Sequence, residues 1–464
     1  MRTDEILTQG VPEYAPATMW FTSGNISKQE MTRQLEGFHA QGLRDFFIHP
    51  SIGTQGDYLG PHHFDMICHA TAEAERLGMN FWIYDEYRWP SGVAAGQVLK
   101  KAPWANCTVL SRKCCTAAPG ETAAVELPEK ARWNTQVLLC VADGQTLPQP
   151  AEDTKICWLN NTHREASLEV YYTSWTLRKL DCTSGSPVAE NVEGYLDTLD
   201  EEAVRVFIDQ THEAYKKHVG DAFGKHLMGI FTDEAAMFPL PKGETREELP
   251  WSRRFEEKFL ARNGYAIGPR VKELMDRTDP KLTVDYWETA TELFMQAYMD
   301  QIRDWCEDNN LIFTGHLLCE ENIDITVMYS GDAYEHYKRF HMPGIDSILT
   351  FYFIDDYNFN IAAKRASSAN RFLHKERLLS ETFTISGWEI RLRDMKRMIH
   401  RLALLGVNFL QYMGSAYDFQ PAYSTGAMTN NWQNPLFRHY GELSKYVSSL
   451  QYLVSRSETV PGAL

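Results

Sequence analysis

Short apolar runs alternate along this chain with longer stretches in which apolar positions return at helical spacing, the two periods that mark buried strands and amphipathic helices. Met19-Trp20-Phe21-Thr22 is the first such run. Ser23-Gly24-Asn25 follows as a turn, and Ser27 with Glu30 has the form of a capping box that opens a helix. Met31, Leu35 and Phe38 continue at helical spacing, Gly42 closes the helix, and Asp45-Phe46-Phe47-Ile48-His49 supplies a second strand broken by Pro50. A helix over 64–77 again ends at a glycine, Gly78, and feeds a third strand, Asn80-Phe81-Trp82-Ile83-Tyr84.

From 105 to 193 the pattern changes to short alternating runs such as Gln136-Val137-Leu138-Leu139 and Leu168-Glu169-Val170-Tyr171-Tyr172, which predict a small antiparallel β insertion. Helical spacing returns with Val204, Phe207, Ile208 and Tyr215. A fourth strand then runs through Leu227-Met228-Gly229-Ile230-Phe231 and ends in Thr232-Asp233-Glu234. Helices over 251–263 and 284–309 lead to a fifth strand at Leu311-Ile312-Phe313-Thr314. Ile345-Asp346-Ser347-Ile348-Leu349-Thr350 is a weaker sixth, 361–373 a helix, and Arg377-Leu378-Leu379-Ser380-Glu381 the seventh. Met395, Met398, Ile399, Leu402 and Leu405 make a helix, Gly406 caps it, and Val407-Asn408-Phe409-Leu410-Gln411-Tyr412 is the eighth strand. Strands alternating with helices in this number predict a (β/α)8 TIM barrel of class α/β, with the insertion after strand 3. The segments are 1–104 for strands 1–3, 105–193 for the insertion, and 194–464 for strands 4–8 and a C-terminal helix. No G-x-G-x-x-G follows any strand, so nucleotide binding lacks its usual signature.

A formal net charge of -16 argues against nucleic acid or an anionic membrane as partner, since both demand clustered Lys and Arg. A neutral polar ligand fits better. No apolar run is long enough to cross a bilayer, and the N-terminus lacks a basic region followed by an apolar core, so a soluble, cytoplasmic protein is expected. The 9 cysteines form no disulfide framework or zinc spacing and are expected as free thiols. Oligomeric state is left open.

Acids gather where strands end, at Glu86, Glu234, Glu320 and Glu381. Strand ends are where α/β barrels keep their chemistry. Hydrolysing a glycosidic bond needs one carboxylic acid to protonate the leaving oxygen and one carboxylate across the sugar, as nucleophile or as base for water. Glu234 and Glu381, at strands 4 and 7 on opposite arcs of the rim, are the candidate pair. A single rim glutamate more often caps a helix or pairs with an arginine, but several on one face shift the balance. Asp233 beside Glu234 favours its protonated form, or accepts hydrogen bonds from sugar hydroxyls. Asp85, Glu86, Trp89, Asp233, His316, Glu320 and Tyr412 are the candidate substrate-binding residues. Trp20, Tyr84, Tyr352 and Trp388 offer further rings for stacking on a pyranose, and His49 could bind a hydroxyl. The partner so implied is a carbohydrate. Metal ligands cannot be assigned from spacing, and the His-x-His that a zinc hydrolase barrel would need is absent.

These stretches resemble the catalytic barrel of glycoside hydrolase family 106, the α-L-rhamnosidases, and the barrel glycosidases around it. The motifs are Met19-Trp20-Phe21 with Asn25 to Glu30, Trp82 to Glu86 with Trp89-Pro90-Ser91-Gly92, Phe231 to Glu234, Gly315-His316-Leu317 with Glu320, Ser367-Ser368-Ala369 before Ser380-Glu381, and Gly406-Val407-Asn408. The resemblance implies a TIM barrel that releases a terminal sugar by inversion, with Glu234 as general acid, Glu381 as the base that activates water, and dependence on Ca2+. Were the nearer relatives retaining glycosidases of the β-galactosidase type, Glu381 would be the nucleophile and no metal would be needed. Members of the family are usually longer, with a secretion signal and C-terminal β-sandwich domains. A barrel that binds carbohydrate without cutting it is the alternative from a different class.

Overall fold

A computed structural model describes residues 3–51, 53, 54, 56–148, 154–176, 194–238, 248–347, 357–383, 386, 390–418 and 432–457, with the side chains of 357–359 left out. Eight parallel strands close into a barrel: β1 (Ala17–Thr22), β2 (Asp45–Pro50), β3 (Asn80–Tyr84), β4 (Leu227–Asp233), β5 (Ile312–His316), β6 (Met342–Ser347), β7 (Leu379–Thr382) and β8 (Phe409–Ala416). Each pairs with its neighbours in sequence order. The ring shuts where Ala17 of β1 meets Gln411 of β8. The expected architecture is therefore the observed one.

Alternation along the strands sorts side chains into two packed layers. Met19, Phe21, Phe47, Trp82, Tyr84, Phe231, Leu379, Phe409 and Met413 fill the interior, where Phe47 stacks on Trp82 at 5.2 Å. Residues of the other parity, such as Trp20, Phe46, Phe81, Ile230 and Phe313, join the helices in the larger outer core. Each such ring or branched chain buried from water contributes about 1.5–3 kcal/mol.

Ser27 caps Lys28–Ala40 by accepting from Glu30 N, as read from the sequence. The Glu30 carboxylate instead engages Arg33 and Gln34, so only half of the capping box forms. The sixth strand is shifted from expectation, running Met342–Ser347, and 348–350 lie outside the described residues. Pro343-Gly344 looks like a breaker, yet the glycine is required: a Cβ there would stand 2.4 Å from the Gly315 carbonyl of β5. The insertion folds as an antiparallel sheet of Thr108–Ala117, Ala166–Trp175, Gln136–Ala142 and Gln145–Thr146, beside the two-stranded pair Thr122–Glu126 and Lys155–Leu159. Its edge strand, Glu248–Trp251, comes from after β4, so Trp251 extends this sheet and the next helix starts at Phe255. The eight described cysteines are free, and no described helix is long and apolar enough to cross a membrane.

Candidate active site

Four adjacent strands bring acids and one imidazole together at the C-terminal mouth: Asp233 and Glu234 from β4, His316 from β5, Asp346 from β6 and Glu381 from β7. The strands approach closely here. A Cβ on Gly315 would stand 2.1 Å from the Thr232 carbonyl, so only glycine fits directly before His316. Glu234 itself has φ 51°, a left-handed backbone that costs a non-glycine residue about 1–2 kcal/mol. Cys319 after β5 (φ 53°) and Phe383 after β7 (φ 77°) share it. Strain of this kind concentrates where side chains must be aimed.

His316 holds the cluster together. Its Nε2 lies 3.2 Å from Glu381 Oε2 and 3.4 Å from Asp233 Oδ1, while Nδ1 faces the Leu317 carbonyl at 3.4 Å. Every atom facing the ring is an acceptor, so the form with a proton on both nitrogens satisfies all of them. Burial disfavours that charge, but Asp233 and Glu381 outweigh it and hold the imidazole well above the ordinary histidine range. Tyr84 donates to the other oxygen of Asp233 at 2.5 Å. Burial raises Asp233 to about 6 even so, with the His316 cation pulling the other way.

Glu234 is only partly covered at its edge, yet burial and then the charge of Asp233 push its carboxyl well above the glutamate range. A carboxylate oxygen of Glu234, one of Asp233 and a nitrogen of His316 lie within 4.8 Å of one another, and so do His316, Asp346 and Glu381. Both members of the expected pair thus border the same imidazole, from strands that stand three apart in the ring of eight. Asp346 is raised by burial and by Glu381, and Glu320, which accepts the Asp346 N–H at 2.6 Å, is raised by burial to about 8. The arrangement sets Glu234, whose surroundings favour its protonated form, and Glu381, which accepts from the imidazole, around one histidine.

No family model matches the chain. A putative beta-glucuronidase of Formosa agariphila is 20% identical over 98% of this chain and 42% of its own length. Among solved structures, the rhamnosidase of Novosphingobium sp. PP1Y superposes with a TM-score of 0.67 at 14% identity, covering 98% of this chain and 61% of that one. A beta-galactosidase of Halorubrum lacusprofundi (TM-score 0.50, 11% identical, 97% and 59% covered) and the beta-amylase catalytic domain of Paenibacillus polymyxa (0.51, 8%, 96% and 99%) are also similar. The likeness is one of fold. This chain spans less than half of the curated relative and about three fifths of the rhamnosidase.

The remaining expected residues divide. Trp89 is half-buried at the mouth, its ring 6.3 Å from that of His49 and under the Arg88 guanidinium at 5.0 Å. Glu86 is not presented to a ligand: its carboxylate accepts the backbone N–H groups of Tyr87, Gly92, Val93, Ala94 and Ala95 and anchors the loop after β3. Asp85, fully buried, accepts from Ser91 Oγ at 2.5 Å, and Ser91 Oγ accepts the Asp233 N–H at 2.8 Å, so it fixes the end of β4 from behind. Tyr412 has the outward parity of β8 and packs on Phe383 and Tyr440 in the outer core, away from the cluster. Trp20 likewise faces the helices, bonding Gln34. Tyr352 and Trp388 lie outside the described residues. Asp346 stands near the start of the weak apolar run 345–350, whereas the strand ends at Ser347, and so its place at the mouth is not visible from the pattern.

As for metals, Asp233, Glu234, Asp346 and Glu381 offer the oxygen donors that Ca2+ takes. Asp346 Oδ1 is buried and has no hydrogen-bond partner among the described residues. On the β6–β7 side Asp346 and Glu381 supply two of the oxygen donors that such a cation takes, with His316 beside them.

Proposed function

We propose that this chain is a glycoside hydrolase that removes a terminal sugar from an α-L-rhamnoside, with Glu234 as general acid and Glu381 as base. The observation that carries the reading is the unequal treatment of two neighbouring carboxyls. Burial and Asp233 keep the proton on Glu234, whereas Glu381 accepts the N–H of His316. Glu234 can then hand its proton to the leaving oxygen while Glu381 draws one from water on the other side of the ring. His316 and Tyr84 hold Glu381 and Asp233 in place, and Trp89 gives the sugar a face to stack on. The names of the similar rhamnosidase and putative beta-glucuronidase support a glycosidase and leave the sugar to experiment.

Calcium, implied by the family resemblance, would be held by Asp346 and Glu381 and would supply a hard cation that orients sugar hydroxyls. Raising the melting temperature with Ca2+ and reversing that with chelator tests it apart from activity. Release of p-nitrophenol from α-L-rhamnoside, β-D-galactoside and β-D-glucuronide tests the function. Turnover that survives in both Glu234→Gln and Glu381→Gln sinks the assignment. Should the product keep the substrate's anomeric configuration, Glu381 is the nucleophile of a retaining enzyme instead.

A further inference from the structure

His49, next to last in β2, has the same inward parity as Phe47, so its ring enters the top layer of the barrel interior. It lies against Tyr84 at 4.0 Å and Phe21 at 4.4 Å, with the edge of Trp89 at 6.3 Å. Its two nitrogens have unlike surroundings. Nδ1 is 2.9 Å from the Pro50 carbonyl, while Nε2 is buried and has no partner among the described residues. A carbonyl only accepts, so the Nδ1 position carries a proton.

Enclosure among aromatic rings, with the Arg88 charge nearby, lowers this histidine to about 3, so the ring is neutral at working pH. A neutral ring protonated at Nδ1 has a bare lone pair at Nε2. Leaving a buried acceptor unmatched is costly, and the described residues offer it no donor. The missing group must donate. A carboxylate, an ether oxygen or a deoxygenated carbon cannot, whereas a hydroxyl can.

We propose that His49 Nε2 is a specificity-determining acceptor for one free hydroxyl of the terminal sugar. The unit concerned follows from the neighbours. Tyr84, stacked beside His49, donates to Asp233, which borders Glu234. His49 therefore stands beside the sugar whose bond is cut rather than along the leaving group. The inference rests on the carbohydrate reading above and sharpens it, since it requires an unsubstituted hydroxyl at one ring position and rejects a carboxylate there.

The test compares wild type, His49→Phe and His49→Gln on the aryl glycoside the protein cleaves and on the set of its monodeoxy analogues. His49→Phe keeps the ring stack and removes the acceptor, so kcat/KM on the parent glycoside falls about 10- to 100-fold. It costs nothing further on the one analogue lacking the recognised hydroxyl, and His49→Gln, whose amide oxygen accepts, recovers part of the loss. An equal loss on every analogue, or no loss on the parent, overturns the proposal and leaves a buried water as the partner. If no glycoside is cleaved, calorimetry with the free monosaccharides and their deoxy forms reads the same pattern in Kd. Binding without turnover sinks only the hydrolase reading, while a wild type that binds none of the sugars sinks both. Nitrogen NMR of the labelled ring adds an independent check: a protonated Nε2 in the free protein contradicts the assignment.

Discussion

Among the described residues His316 is the cation of a buried cluster of acids, and the cost of replacing it by Gln can be worked from the geometry. The ring nitrogen is 3.2 Å from Glu381 and 3.4 Å from Asp233. At an effective dielectric of about 20, each contact has a Coulomb energy of about 5 kcal/mol. Relaxation lowers this, and removing one partner of a buried pair costs about 3–5 kcal/mol in practice. The pH dependence identifies the origin. Because the folded state holds the His316 proton above the ordinary range while the unfolded chain releases it near 6.5, the native state binds more protons between those two values. The stabilisation is complete below the unfolded value and is lost as pH rises through the folded one, at up to about 1.4 kcal/mol per pH unit. Urea unfolding from pH 6 upward should show wild type losing stability faster than His316→Gln once the pH passes the unfolded value. Parallel curves would mean that the imidazole is neutral, and the account of how Asp233 and Glu381 are kept in place would be wrong.

Glu86→Gln replaces a carboxylate that accepts five backbone N–H groups with an amide whose NH2 faces donors, so it should cost about 3–5 kcal/mol in urea unfolding, whereas a substrate-contact role would leave stability intact and change only KM. Tyr412→Phe deletes a buried hydroxyl that has no partner among the described residues, so stability should hold or rise by about 1 kcal/mol and kcat/KM should not change. A large drop in kcat/KM would return Tyr412 to the site.

The barrel was legible because its strands and helices differ in apolar period and because Gly42, Gly78 and Gly406 mark the ends of three of the helices. Asp233, Glu234, His316 and Glu381 were legible because an apolar run that stops at an acid or imidazole marks a strand's C-terminal end. What failed was parity and non-local pairing. Tyr412 sits at the right height on β8 but on the outer face, which a rim position alone does not reveal. Glu86 follows β3 as Glu234 follows β4, yet the backbone turn over Gly92–Ala95 closes on its carboxylate. Asp346 was hidden by Pro343-Gly344, whose glycine serves a close strand approach rather than a turn. The strand Glu248–Trp251 pairs with a segment far earlier in the chain, which no local periodicity encodes.

The division of labour between Glu234 and Glu381 is tested most directly by varying the leaving group. Across aryl glycosides whose phenols range from strongly to weakly acidic, Glu234→Gln should lose about 10²–10⁴-fold in kcat/KM on poor leaving groups and little on the best, because only the former need a proton. Glu381→Gln should lose activity on all of them. A Glu234→Gln variant whose loss is the same for every leaving group contradicts the assignment of Glu234 as the acid.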